Sequence, residues 1–173
     1  GVINEDPEAV KDFPIWTNST GETLSTVAKK VNTEKAQIKK TADPFYEYKV
    51  MEILQDLGLP APKPIVKVEQ SGTHMIVMER ISGFRWVNND ILFLKEKGFS
   101  SEDLKIIETE AEEMLLSLIK VYEESGIIRK WKLRDMIFDL DVENKKLNSL
   151  TPVDWERTKL DFDKINKAKS KLS

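Results

Sequence analysis

Cysteine is absent from the chain. That absence excludes disulfides, a thiol nucleophile and any cysteine-ligated zinc or iron–sulfur centre. It suits a reducing compartment. Histidine occurs once, as His74. It has no Cys, His or clustered-carboxylate partner in its stretch, so it reads as an exposed turn residue. No apolar run approaches the roughly 18–20 residues of a membrane span. The opening "GVINEDPEAV" lacks the pattern of a signal peptide. Together these features set a cytoplasmic protein with no membrane span as the expectation. Charge of one sign is not in excess: 27 basic residues face 30 acidic ones, a net charge of −3. No global basic field points to nucleic acid. There is no internal repeat and no low-complexity tract.

What is present is ordinary in amount and informative in order. Hydrophobic residues make up 40% of the 173 and charged residues 33%, which allows a packed core beneath a well-solvated surface. The length suits one domain or two small lobes sharing a cleft. "DFPIWTN", "STGE" and "TLSTVAKKV" read as strand, turn and strand. In "TEKAQIKKTADPFYEYKVMEILQDLG", Phe45, Val50, Ile53, Leu54 and Leu57 recur at helical spacing. Pro44 suits a first helical turn and Gly58 a C-terminal cap. "LPAPKPI" is an extended connector. "PIVKVEQSGTHMIVMERI" reads as two strands around Ser71-Gly72. Ser100 to Asp103 form a capping cluster that opens a long helix, with Gly126 at its end. "MIFDLD" and "SLTPVDW" read as two short strands, and the basic tail as a frayed helix. The expected architecture is α+β, with a boundary near Ser82-Gly83.

Several stretches in this order resemble the protein-kinase-like superfamily, and its RIO-like and aminoglycoside-phosphotransferase-like members most. "VAKK", Val27 to Lys30, has the V-A-x-K form of the strand lysine that holds nucleotide phosphates. Glu47 lies 17 residues further on (30 to 47), in "YEYKVMEIL", which is similar to the helix motif carrying the lysine's carboxylate partner. A phosphate-binding lysine on a strand must be aimed, and a carboxylate on a facing helix aims it through a charge-assisted bond. "LGLPAPKPI" resembles the connector after that helix. "IVMERISG" resembles the gatekeeper and hinge strand. "SLTPVDW" resembles the strand that ends in the metal-binding Asp. The likeness covers roughly residues 10–157.

The resemblance implies a two-lobed fold, with a β-rich N-lobe over 1–82 and a minimal, helical C-lobe over 83–173. It implies magnesium–ATP binding and phosphate transfer to a protein or small-molecule hydroxyl. Lys30 would hold phosphates and Glu47 would aim it. Met78 would back the adenine, and the backbone of Glu79 to Ile81 would pair with its edge. Asp154 would hold magnesium. Two features depart from the family pattern. A glycine-rich loop is missing, with Gly1-Val2 as its one possible remnant. The catalytic loop reads "RKWKLRDMIFDLD", which aligns in two ways. In one, Asp135 takes the place of a metal-binding Asn, and Trp131 or Lys132 stands where the catalytic Asp belongs. In the other, "LRD" is a degenerate H-R-D and Asp135 is the catalytic base. Two alternatives of other classes follow: a catalytically inactive, partner-binding pseudokinase, and a nucleic-acid-binding domain built on "RKWKLR".

Overall fold

A computed structural model of the chain describes residues 16–17, 23–24 and 26–172. The turn expected at 19–22 and the glycine-loop remnant at 1–2 lie outside them. The fold is mixed, with helices around small antiparallel sheets. Strands β1 (Trp16–Thr17) and β2 (Thr23–Leu24) pair with each other. Strand β3 (Thr26–Lys30) lies beside β5 (Thr73–Glu79), which also pairs with β4 (Pro64–Gln70). The turn between β4 and β5 has positive φ at both Ser71 (51°) and Gly72 (76°), the geometry that matches the right-handed twist of a two-residue hairpin.

The expected helix after β3 is two helices. Helix α1 (Ala36–Thr41) ends where Ala42 turns left-handed, its N–H donating to the Ile38 carbonyl. Asp43 precedes a proline, a position that disfavours helical backbone. The Asp43 carboxylate then accepts from the Phe45 N–H at 2.9 Å, and α2 (Tyr46–Asp56) starts afresh. Its buried face, Tyr46, Glu47, Val50, Met51, Ile53 and Leu54, packs on the β3–β5 sheet.

Past β5 the chain runs through β6 (Phe84–Arg85) and α3 (Asn88–Glu96) into the long helix α4 (Ser101–Glu124). The Ser100–Asp103 capping box forms as expected, with bonds of 3.0 and 2.9 Å. Strand β8 (Met136–Asp141) pairs with both β6 and β9 (Lys146–Pro152) in a second sheet. Strand β7 (Ile127–Ile128) pairs with β10 (Lys159–Leu160).

The tail is a seated helix rather than a frayed one. Helix α5 (Phe162–Ser170) is capped by Asp161, and its Ile165 is buried. Ile165 joins the core cluster of α2 and β5, together with Tyr122, Ile127 and Trp155. A second cluster joins α4 to β8 and β9. Residues from the latter half of the chain thus complete the core of the first. The Tyr46 hydroxyl reinforces this by donating to the Thr158 carbonyl at 2.6 Å, and the Tyr122 hydroxyl donates to the Pro60 carbonyl. His74 lies within β5 rather than in a turn, edge-on to Phe45 at 5.3 Å.

Gly83 carries the passage from β5 to β6. Its φ is 150°, and a Cβ there would stand 2.4 Å from the Phe138 carbonyl oxygen and 2.7 Å from Ile137 Cγ2. Both neighbours belong to a paired strand and cannot retreat. Gly83→Ala is expected to cost about 1–3 kcal/mol, the usual range for enforced backbone strain. Urea unfolding reads it, and an unchanged midpoint would contradict this close packing.

Candidate functional site

Four charged side chains from three distant parts of the chain meet at one point. Strand β3 supplies Lys29, α2 supplies Glu47, and the segment after β9 supplies Asp154 and Glu156. The Lys29 Nζ lies 3.0 Å from Glu47 Oε1, 3.0 Å from Asp154 Oδ1 and 3.0 Å from Glu156 Oε2. Glu47 is buried, and its other oxygen accepts from the Trp155 backbone N–H at 2.8 Å. Lys35 approaches the second Glu156 oxygen at 3.6 Å.

Local structure explains the convergence. Side chains alternate along β3. Val27 faces the core cluster, and Lys29 shares its side of the strand. Lys30 points the other way and is exposed. The lysine that pairs with Glu47 is therefore Lys29, a correction to the expectation for Lys30. Strand β9 ends at Pro152, so Asp154 does not sit in a strand as expected. It has φ 62°, a left-handed turn that Asp tolerates better than most residues. This turn brings the carboxylates of Asp154 and Glu156 to the same lysine, with Trp155 fully buried between them.

The electrostatics follow from crowding three carboxylates round one ammonium. Burial alone would lower the Lys29 pKa, but Glu47, Glu156 and Asp154 overcome it and hold the group above its ordinary value. Burial pushes Glu47 up to about 6; Lys29 pulls against it, while Glu156 and Asp154 add repulsion. Asp154 is raised for the same first reason, burial. Burial also acts to raise Glu156, yet Lys29 and hydrogen bonds outweigh it and draw it down to about 2.

These shifts set a pH dependence with a definite sign. A carboxylate whose folded pKa is raised contributes stability present below its unfolded pKa and lost as pH rises through the folded value. The Glu47 contribution is therefore full below pH 4.5 and lost as pH rises through about 6. Thermal melts of the metal-free protein and of Glu47→Gln are expected to diverge across this window, the wild type losing ground as pH rises. Parallel curves would show that Glu47 titrates normally.

The carboxylate oxygens of Glu47, Asp154 and Glu156 lie within 4.8 Å of one another. Hard oxygen donors at such spacing suit magnesium. Lys29 balances one of their three charges, so a divalent ion fits the remaining charge. Asp135 is not in this cluster. It ends a single 3-10 turn (Leu133–Asp135) immediately before β8, 3.9 Å from Arg129 Nη2. The Arg129 guanidinium is wedged near the faces of Trp155 and Trp131, 4.6 and 5.3 Å from their centroids, and donates to the Val153 carbonyl. Arg85 donates to the Arg134 carbonyl. Burial lowers its pKa against the fields of Asp154, Asp135 and Asp90.

Two cavities reach the cluster. One, of about 290 Å³, is lined by Lys29, Glu47, Asp154 and Glu156 with Lys30, Ile38 and Ile76 among their neighbours. The other, of about 580 Å³, takes in Asp135, Asp154 and Glu156 with Lys132 and Arg157. Met78, Glu79 and Ile81 line neither of these two. Met78 is buried in the core cluster, Ile81 packs against Ile137 and Val153, and the Glu79 N–H donates to the Lys63 carbonyl at 2.9 Å. That N–H is therefore engaged within the fold.

Glu156 and Lys35 belong to the cluster without having stood out in the sequence. The available signal was the acid–aromatic–acid order of "DWE", two carboxylates that one turn can carry to the same cation. No protein-family model matches this chain, and no curated protein matches it.

Proposed function

We propose that the chain is an atypical, kinase-like phosphotransferase of two lobes, binding magnesium–ATP between β3 and the segment after β9. The observation that carries this reading is the three-way engagement of Lys29. A strand lysine is paired with a helix carboxylate 18 positions away and with an acid 125 positions away, all at hydrogen-bond distance. Phosphoryl transfer requires such a device, because catalysis there is mostly positioning and charge neutralisation. Lys29 would contact phosphate oxygens, and Glu47, locked by the Trp155 N–H, would hold it in place. Asp154 and Glu156 would bind magnesium, with Glu47 as a third oxygen donor. The bound ion would supply neutralisation of the triphosphate charge. The Ile81 backbone and the Met78 side chain remain the candidates for the adenine edge and its backing.

A second reading has its own support. Asp135 stands directly before β8, where the first alignment puts a metal ligand. Lys130, Trp131 and Lys132 then offer no carboxylate to take the acceptor's proton. On that reading the chain binds nucleotide or a partner without transferring phosphate.

A thermal-shift titration with ATP, with and without magnesium, tests the proposal. Ligand that binds only the folded state raises its stability in proportion to the logarithm of ligand concentration, about 2.7 kcal/mol at a hundredfold excess over Kd. The expected result is a rise that keeps growing with the logarithm of ATP concentration and is larger with magnesium. A flat response would remove the nucleotide from both readings and leave a partner-binding module.

A further inference from the structure

The larger cavity beside Asp154 is basic in a chain that is acidic overall. Its rim carries Lys130, Lys132, Arg134, Arg157 and Lys159. Among the described residues, none of these five makes an ion pair. The two other cations there are already used: Lys35 by Glu156, and Arg129 by Asp135 and the tryptophan faces. The acids of the cavity are used as well, since Asp154 and Glu156 share Lys29. Five positive charges with no ion-pair partner among the described residues thus surround one opening in a protein of net charge −3. Their charges come from two segments, 130–134 and 157–159, that the β7–β10 pairing holds side by side. A concave wall of one sign focuses its field and concentrates ligands of the opposite sign.

We infer that this cavity binds the phosphate acceptor, and that the acceptor is a small, hydroxyl-bearing phosphate monoester. The inference rests on the kinase-like reading for the word acceptor. The anion preference rests on the cavity alone. Its volume, about 580 Å³, lies in the range of small-molecule sites and not of extended polymer grooves. Arg134 and Arg157 offer planar forks that match a phosphate group, and the three lysines offer point charges. The acceptor's hydroxyl would then lie toward Asp135 and Asp154, its phosphate toward the rim.

Backbone-amide NMR titrations test this with named probes: inorganic phosphate, glucose 6-phosphate, glucose and a ten-nucleotide uridine RNA. Both phosphates are expected to give saturable shifts at residues 128–135 and 157–159, and glucose none. The triple variant Lys132→Ala, Arg134→Ala, Arg157→Ala changes exposed side chains only. It should weaken both phosphates about tenfold or more, as lost charge-assisted bonds do, and keep the wild-type melting temperature. Absent shifts, or shifts equal in the variant, would overturn the anion site. Shifts by the RNA at tenfold lower concentration than glucose 6-phosphate would overturn the small-molecule assignment in favour of nucleic acid. Magnesium–ATP is titrated in the same samples, read at the amides of Lys29, Glu47 and Trp155. Anion binding without ATP binding sinks the phosphotransferase reading and keeps the anion site. ATP binding without anion binding sinks this inference alone.

Discussion

Lys29→Ala is expected to abolish measurable ATP binding and to destabilise the fold by about 3–5 kcal/mol, the range for removing one partner of a buried ion pair. The reason is what remains behind. Glu47, Asp154 and Glu156 keep their oxygens within 4.8 Å of one another and lose the ammonium between them. Glu47 is fully enclosed and cannot turn to water. Protonation is its remaining relief, and without the pull of Lys29 the Glu47 pKa rises further above its ordinary value, so the loss should shrink as pH falls. Magnesium should also restore part of the stability, since a divalent ion can stand among the same oxygens. Lys30→Ala, exposed at the rim of the same cavity, should leave stability nearly unchanged and weaken ATP binding far less than Lys29→Ala. Urea unfolding and the ATP titration read both variants. Equal effects from the two lysines would remove the cluster from the nucleotide site.

The contrast between these neighbours marks how far the sequence could be read. Patterns governed by local chemistry were legible. The Ser71-Gly72 hairpin, the Ser100 capping box and the long stripe of α4 each follow from a few adjacent residues. The strand lysine, the helix glutamate and Asp154 were legible as a set. Which of two adjacent lysines turns inward was not. That depends on the register of β3 against β5, where Lys29 stands opposite Ile76, and register is fixed by partners far along the chain. The break at Ala42 was hidden because Pro44 suits a first helical turn as well as it ends a preceding one. The tail read as frayed because its single buried residue, Ile165, has its partners in a core assembled mainly by the first half of the chain. Glu156 was missed for a simpler reason: the strand was read as ending at Trp155, so Glu156 lay beyond it, although alternation along a strand would itself have set residues 154 and 156 on one side.

Asp154→Asn is expected to make ATP binding independent of magnesium while leaving the fold intact. The amide has the shape of the carboxylate, and its oxygen can accept the same 3.0 Å bond from Lys29. Asparagine also tolerates the left-handed turn at φ 62°, so no strain is added. What changes is charge. Burial raises the Asp154 pKa despite Lys29, which means that the folded protein disfavours the ionised form. At neutral pH the neutral amide removes that cost, and the metal-free variant should melt at or above the wild-type temperature. Magnesium loses an anionic donor from a site of three, so its added thermal shift should vanish. Any phosphoryl transfer should fall by about 10²-fold or more, the scale for losing a preorganised electrostatic group. The two readouts move in opposite directions, and a variant that was simply misfolded could not produce that. Unchanged magnesium dependence would leave Asp154 as a turn residue that pairs with Lys29, and the proposal would lose its metal site. A lower melting temperature in the metal-free state would show that the carboxylate stabilises the cluster more than its burial costs.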